Sequence, residues 1–269
     1  MEIKRKKVGL ALGSGGAKGL AHIGVIKTLV KNNIPIDYIS GSSIGALIGG
    51  LYANNLDISQ IEEWFFKLTY KDLIRILFDP YFYSGLIKGE KVVSLLKAKI
   101  GDKKIEDLKI PFKAVATDLI TGESVIFDKG NLVLAIRSSG AVPFLLTPVV
   151  LGNKCLVDGG VSMPIPVKVV KEMGADLTIA VNLDFVYFIN NQKEKFLNAN
   201  LNIKNVLEKS INVLRYQLAK ENIKEADIVI NPIIKKGSFI DFVHGKEIIK
   251  EGEKAAQEML PKILDLLNK

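Results

Sequence analysis

Short apolar runs alternate along this chain with longer segments whose apolar residues recur at helical spacing. Such alternation favours a mostly parallel sheet covered by helices, because parallel strands need a long crossover between them. The predicted strands are Val8–Leu12, Pro35–Ile39, Phe112–Thr117, Ser124–Phe127, Val149–Val157, Leu177–Leu183 and Ile228–Ile230.

Amphipathic segments between and after these strands are predicted to be helices. They are Leu20–Lys31, Ser43–Asn54, a helix that opens with the capping box Ser59–Glu62, and the covering helices Ile203–Glu221 and Lys246–Leu267. No repeat, low-complexity tract or linker interrupts them. We therefore predict one domain over residues 1–269, with a motif-bearing core at about 8–183 and C-terminal covering helices at about 203–269.

Two segments depart from this alternation. Tyr70–Ile87 is rich in large apolar residues with poor periodicity, which fits either a core helix and loop or an apolar lid over an acyl-chain entrance. Phe185–Asn202 is polar and rich in asparagine, which is typical of a mobile excursion from the end of a strand.

Composition excludes several classes of protein. No stretch reaches the roughly 18 uninterrupted apolar residues that cross a bilayer, and the apolar run after the basic start is too short for a signal peptide. We therefore expect a cytoplasmic protein, with peripheral contact at the inner membrane surface as a further expectation. The net charge of +8 favours anionic partners, but no RNA-binding motif or basic helix indicates nucleic acid.

Cysteine and histidine are too few for several kinds of site. Cys155 is the single cysteine, so no internal disulfide forms. With only two histidines, a Cys/His metal cluster is also excluded, and no metal or other cofactor is expected.

A Gly-x-Ser-x-Gly pattern stands between a predicted strand and a predicted helix, with Ser43 at its centre and Gly41 and Gly45 around it. Small residues two before and two after the serine leave room for a sharp turn that exposes the hydroxyl. The N-terminus of the following helix adds unpaired N–H groups, including that of Ile44. The pattern and its context favour a serine nucleophile.

The first strand is followed by a glycine-rich turn, Gly13–Gly19. Such turns aim backbone N–H groups at negative charge, and acyl transfer needs donors of this kind for its oxyanion. The alternative is a nucleotide cradle. A Walker loop is excluded because Lys18 is followed by glycine, and a dinucleotide turn would need glycine at Lys18.

The sequence leaves two candidates for the base that would activate Ser43. Asp158 ends an apolar strand and is followed by Gly159 and Gly160, a position where open α/β sheets bind ligands, although Asp-Gly is also a common turn. His244 would complete the order Ser43, Asp158, His244, which is that of α/β-hydrolases. His22 falls inside a helix and is interpreted as a hydrogen-bonded packing residue.

Three ordered motifs together resemble the patatin-like phospholipases, notably the bacterial members and the catalytic domains related to neuropathy target esterase. They are "GLALGSGGAKGLAHIGVIKTL" with "IDYISGSSIGALIGGLYA", then residues 137–143, and "LVDGGVSMPIPV" at 156–167. The resemblance runs from about Val8 to Asn182. It implies a Rossmann-like three-layer α/β/α sandwich.

The resemblance also implies residue roles. Ser43 matches the nucleophile and Asp158 the base of a Ser–Asp dyad that uses no histidine. Gly15 and Gly16 match the oxyanion loop, and Lys18 its basic residue. Ser14 departs from the family, because many relatives have the first of three consecutive glycines there.

Our hypothesis from these residues is a serine acyl hydrolase of lipid esters, of phospholipase A or lysophospholipase type. Its partners would be the lipid substrate and the surface of a membrane or micelle. Two alternatives stay open besides the Ser43–Asp158–His244 triad. They are a nucleotide-binding protein that uses Gly13–Gly19, and a membrane-associated regulator with a vestigial site.

Overall fold

The computed structural model describes residues 5–67, 87–185, 203–234 and 244–269. The strands in these ranges form one eight-stranded sheet in the order β5-β6-β3-β2-β1-β7-β8, with β4 paired to β3. They are β1 (Val8–Leu12), β2 (Tyr38–Ser42), β3 (Phe112–Asp118), β4 (Ser124–Phe127), β5 (Val149–Leu151), β6 (Lys154–Asp158), β7 (Leu177–Val181) and β8 (Ile228–Ile230).

The five neighbouring strands β3, β2, β1, β7 and β8 are parallel, as the sequence predicted. β2 pairs with β1 and β3, and β7 with β1 and β8, all in parallel. β4, β5 and β6 are antiparallel additions at the β3 side. The sheet is therefore mixed with a parallel centre.

Helices cover both faces of the sheet. They are α1 (Ala21–Lys31), α2 (Ile44–Asn55), α3 (Ile58–Lys67), α4 (Glu90–Ile100), α5 (Leu132–Ser139), α6 (Val167–Glu172), α7 (Ile203–Asn222) and α8 (Gly245–Asn268). Adjacent β1 residues show the two faces. Leu10 and Leu12 pack into the larger core with α1, α2 and α8, while Ala11 packs with α6 and Ala219 of α7. The predicted three-layer α/β/α architecture is confirmed.

Four predicted elements were wrong in detail, and one of them, Leu177–Leu183, ends two residues later than β7. Val149–Val157 is a hairpin and not one strand, because Gly152 takes a φ of 60° and turns the chain between β5 and β6. The second strand is Tyr38–Ser42, and it uses the small residues that the apolar pattern left out. Helix α3 begins at Ile58. The Asp57 carboxylate, and not the predicted capping box, accepts the N–H groups of its first turn.

Some predictions are left without a test. The apolar lid (Tyr70–Ile87) and the mobile excursion (Phe185–Asn202) lie outside the described residues except at Ile87 and Phe185. The single-domain assignment also stays a prediction. Within the described ranges, no helix combines the length and apolar character that spanning a membrane requires.

Candidate active site

Two strands meet end to end on one edge of β3, and they bring Ser43 and Asp158 together. β2 pairs with β3 as far as Ser42, which lies opposite Val115. β6 runs the other way and ends at Asp158, opposite Ala116. β4 pairs with positions 114–117 of β3, which overlap both the positions paired with β2 and those paired with β6. β4 must therefore lie on the other edge of β3. Ser43 and Asp158 therefore follow each other along the same edge of β3.

Ser43 lies in a strained turn between β2 and α2. Its φ of 57° is uncommon for a residue with a side chain. A Cβ at Gly41 would lie 2.4 Å from the carbonyl oxygen of Gly45, and a Cβ at Gly45 would lie 2.2 Å from that of Leu12. Both motif glycines are thus required by close backbone packing. The N–H of Ser43 donates to Ser139 Oγ over 2.9 Å, which holds the turn.

Asp158 is held at the end of β6 by its backbone and by one carboxylate oxygen. Its N–H donates to the carbonyl of Ala141 over 2.9 Å, and Thr117 Oγ1 donates to its carbonyl over 2.9 Å. Its Oδ1 accepts the N–H of Gly160 over 2.7 Å. Gly159 must be glycine because a Cβ there would lie 2.1 Å from the carbonyl oxygen of Val115.

Burial raises the pKa of Asp158 from 3.8 to about 6. Hydrogen bonding from the Ser43 hydroxyl and the Gly160 N–H, and the charge of Arg215, act in the opposite direction and are weaker. Asp158 Oδ2 is buried and has no hydrogen bond of ordinary length and angle. The Ser43 hydroxyl therefore approaches the carboxyl without a fully formed hydrogen bond. A carboxyl with this pKa is a stronger base than an ordinary aspartate and is still ionised at neutral pH.

The glycine-rich loop is anchored through its first two amides. The N–H of Gly13 donates to the carbonyl of Val181 over 3.2 Å, and that of Ser14 donates to the carbonyl of Pro164 over 2.9 Å. Ser14 is the residue that departs from the family pattern, and its amide is engaged in this way. Its hydroxyl is buried beside Gly160 without a hydrogen-bond partner.

The next amides of the loop, and the first amide of α2, are not engaged in this way. Within the described chain, the N–H groups of Gly15, Gly16 and Ile44 donate to no other residue. Gly16 has a φ of 59°, which favours glycine. Gly15 and Gly16 open the turn before α1, and Ile44 opens α2 directly after Ser43. Unpaired amides at two helix starts are suitable donors for an oxyanion.

His22 contacts the backbone of the glycine-rich loop. It is fully buried, and its Nε2 lies 2.8 Å from the carbonyl oxygen of Gly13. Because a carbonyl can only accept, Nε2 carries the proton. Burial lowers the pKa of His22 to about 4, so the ring is neutral at pH 7. The structure confirms that His22 is a hydrogen-bonded packing residue, and it shows which loop the residue supports.

A charged group that the sequence did not reveal borders the site. Arg215 of α7 forms a bidentate ion pair with Asp184, at 3.0 and 2.6 Å. Burial lowers the pKa of Lys18, and the charges of Arg215 and Lys209 lower it further, while Asp184 acts in the opposite direction. Lys18 of the loop and two cations of α7 therefore lie in one electrostatic neighbourhood. No local motif marks this contact, since Asp184 and Arg215 are far apart in sequence.

His244 is not among the groups that act on the Asp158 carboxyl, which are Ser43, Gly160 and Arg215. It precedes α8, and its neighbour Gly245 lies against Leu20 and Phe66. The structure thus brings together Ser43, Asp158 and the loop, without placing the imidazole at the carboxyl. Among the described residues, no cluster of three or more His, Cys, Asp or Glu side chains is arranged to hold a metal.

Comparison with known proteins identifies the family. Residues 10–171 match the family model described as patatin-like phospholipase. This range contains the glycine-rich loop, Ser43 and Asp158. The chain belongs to the patatin-like phospholipase family. Its Ser43 turn and its Asp-Gly-Gly segment are therefore two of the motifs by which the sequence resembled that family.

Curated relatives of this patatin-like chain include NTE family proteins. It is 42% identical over 178 residues to an uncharacterised NTE family protein of Mycobacterium tuberculosis, covering 66% of this chain and 49% of the relative. It is 34% identical over 184 residues to neuropathy target esterase of Drosophila melanogaster, covering 65% and 13%. A lysophospholipase of Debaryomyces hansenii is 34% identical over 187 residues, covering 68% and 12%. The chain thus spans about half the length of the mycobacterial relative and a small part of the others.

Solved structures support the fold of the patatin-like chain. VipD of Legionella pneumophila superposes with a TM-score of 0.60 at 15% identity, covering 96% of this chain and 67% of that one. Human GIVD cytosolic phospholipase A2, solved with a fluorophosphonate inhibitor, gives a TM-score of 0.52 at 12% identity, covering 100% and 60%. At such identities the likeness concerns the fold alone.

Proposed function

We propose that the chain is a serine hydrolase of lipid esters, with Ser43 as nucleophile and Asp158 as its base. The observation that carries this proposal is the meeting of β2 and β6 on one edge of β3. It sets a strained serine turn beside a buried carboxyl whose pKa is raised to about 6. Membership of the patatin-like phospholipase family supports the same chemistry.

In the proposed reaction, Ser43 Oγ attacks the ester carbonyl carbon as its proton passes to the Asp158 carboxylate. The N–H groups of Gly15, Gly16 and Ile44 stabilise the oxyanion that forms. The protonated Asp158 then gives its proton to the leaving alkoxide, and the carbon–oxygen bond of the ester breaks. Water attacks the acyl-enzyme by the same route, which releases the acid and restores both side chains.

The substrate class proposed is phospholipid or lysophospholipid. The relatives named as neuropathy target esterase and lysophospholipase support it. The cations Lys18 and Lys209 near the loop are suited to an anionic headgroup, while Arg215 is paired with Asp184. Such substrates are presented by membranes or micelles, so the proposal includes peripheral contact with a lipid surface.

A fluorophosphonate probe tests the nucleophile. We expect the full chain to be labelled once, and peptide mass spectrometry to place the adduct on Ser43. The variant S43A should lose both the label and the hydrolysis of a soluble ester. S94A is a matched control, because Ser94 is an exposed serine on α4, and it should behave as wild type. An adduct at another residue would contradict the assignment.

The nucleotide alternative is tested in the same preparation. Thermal unfolding with and without NAD(P)H or ATP should give equal midpoints if the Gly13–Gly19 loop is an oxyanion loop. A clear rise would favour a phosphate cradle. Liposome binding without any ester hydrolysis would instead favour the regulator with a vestigial site.

A further inference from the structure

Helix α7 exposes a row of apolar side chains on the side of the helix that faces away from the core. Ile203 is 89% exposed and Leu214 is 66% exposed. Val206, Leu207, Ile211 and Val213 are also exposed, and at 100° per residue all six fall on one side of the helix. We name these six residues the α7 stripe. A surface helix of a soluble domain normally has the reverse arrangement.

The opposite side of α7 fixes the helix to the domain. Asn212 and Ala219 are buried there, and Ala219 packs in the core beside α6. Asn222 Oδ1 accepts the N–H of Ile165 over 3.1 Å, and Arg215 binds Asp184. The orientation of α7 is therefore set by packing, and its apolar stripe points away from the core.

The charges beside the stripe are mostly positive. Lys209 and Lys220 are exposed and lie together on one flank of the stripe. Lys209 and Arg215 also act on Lys18 of the oxyanion loop, and Arg215 acts on Asp158, so α7 borders the candidate active site. Two carboxylates are described here: Asp184, which pairs with Arg215, and Glu221, which lies on the stripe side at the end of α7 and pairs with Lys224. An apolar stripe flanked by cations is the composition of a helix that lies in the plane of a membrane interface.

We propose that α7 docks the protein onto an anionic lipid surface, with its stripe among the acyl chains and its cations at the headgroups. This inference rests on the proposed function, because a lipid ester must pass from its aggregate into a site that α7 borders. The exposed Lys209 and Lys220 beside the stripe are complementary to anionic headgroups, whereas a second copy of the chain would bring the same cations against them.

The test compares two leucine variants on vesicles of phosphatidylglycerol and phosphatidylcholine. L214E introduces a charge into the stripe, and L264E does so at an exposed leucine of α8 as the matched control. We expect L214E to sediment with vesicles at least about tenfold less well, since interfacial binding scales with apolar area. Hydrolysis of vesicle lipid should fall equally. Turnover of a soluble short-chain ester should stay at the wild-type level in both variants.

Salt gives a second readout that needs no variant. Raising ionic strength from 0.1 M to 1 M shortens the Debye length from about 10 Å to about 3 Å. Binding to vesicles rich in phosphatidylglycerol should therefore weaken, while the weaker binding to pure phosphatidylcholine should change little. Equal salt effects on both vesicles would contradict the role of the cations.

The outcomes separate this inference from the proposed function. If L214E binds vesicles as wild type does, or L264E loses as much, the docking role of α7 is wrong although ester hydrolysis stands. A wild-type dimer that L214E dissociates would also overturn it, since the stripe would then be covered by a second copy. If wild type hydrolyses no soluble ester, the proposed function fails, whatever the vesicles show.

Discussion

Replacing the Asp158 carboxyl by an amide should abolish hydrolysis and stabilise the fold at the same time. The carboxyl is 6% exposed, and its pKa is raised from 3.8 to about 6. The folded protein therefore binds the proton more tightly than the unfolded chain does. Asp158 favours folding most below pH 3.8, and this contribution is lost as the pH rises to about 6.

The magnitude follows from the two pKa values. At about 1.36 kcal/mol per unit, an ionised Asp158 disfavours the fold at pH 8 by about 3 kcal/mol. At pH 4.5 Asp158 is mostly protonated in the folded protein, and the same effect disfavours the fold by only about 1 kcal/mol. The amide introduced by D158N does not titrate, so the stability of D158N relative to wild type should rise by about 2 kcal/mol between these pH values. Contacts of the new amide change the stability of D158N by the same amount at both pH values, so they cancel in the difference between pH 4.5 and pH 8.

Urea denaturation followed by circular dichroism at pH 4.5 and pH 8 measures this difference. S43A is the matched control, because it should be equally inactive but keeps the titrating carboxyl. Since the Ser43 hydroxyl lowers the pKa of Asp158, the pH dependence of S43A should be at least as large as that of wild type. If the stability of D158N relative to wild type is the same at both pH values, Asp158 ionises as an ordinary aspartate. The argument for its role as a base would then be refuted.

Two further predictions concern the protonation of the site. On a soluble ester, kcat/KM should fall on the acidic side with an apparent pKa near 6, because Asp158 must be ionised to accept the proton of Ser43; a limb near pH 4 would contradict this. H244A should retain activity close to that of wild type in the same assay, since His244 is not among the groups that act on Asp158. A loss of several orders of magnitude would instead establish a triad.

Much of this fold follows from the sequence because its central strands are apolar and its helices are amphipathic. β1, β3, β4 and β8 were predicted to within one residue of their observed bounds. β2 was displaced because its last three residues are small and polar. Gly41 and Gly45 let α2 approach the strand closely, and the hydroxyls of Ser40 and Ser42 donate to the carbonyls of Pro166 and Met163.

The hairpin of β5 and β6 carried a signal that the prediction did not use. Gly152-Asn153 is a dipeptide typical of two-residue hairpin turns. Interpreting 149–157 as one strand concealed the reversal that directs Asp158 toward Ser43 along β3. The candidate site residues could therefore be named from the sequence, and the reversal that joins their strands could have been predicted from Gly152-Asn153.

Other contacts of the site depend on tertiary structure. Ser139 accepts the N–H of Ser43 across 96 positions of sequence, and Arg215 reaches Asp184 across 31. No periodicity or motif joins such residues. The raised pKa of Asp158 likewise depends on burial by several elements, which the sequence alone does not quantify.

A crystal structure of the fluorophosphonate-treated protein would test the central claim most directly. We expect phosphorus bonded to Ser43 Oγ, its oxygen within hydrogen-bonding distance of the amides of Gly15 and Gly16, and the Asp158 carboxyl against Ser43. An adduct on another residue, or a His244 imidazole in the place of Asp158, would contradict the account.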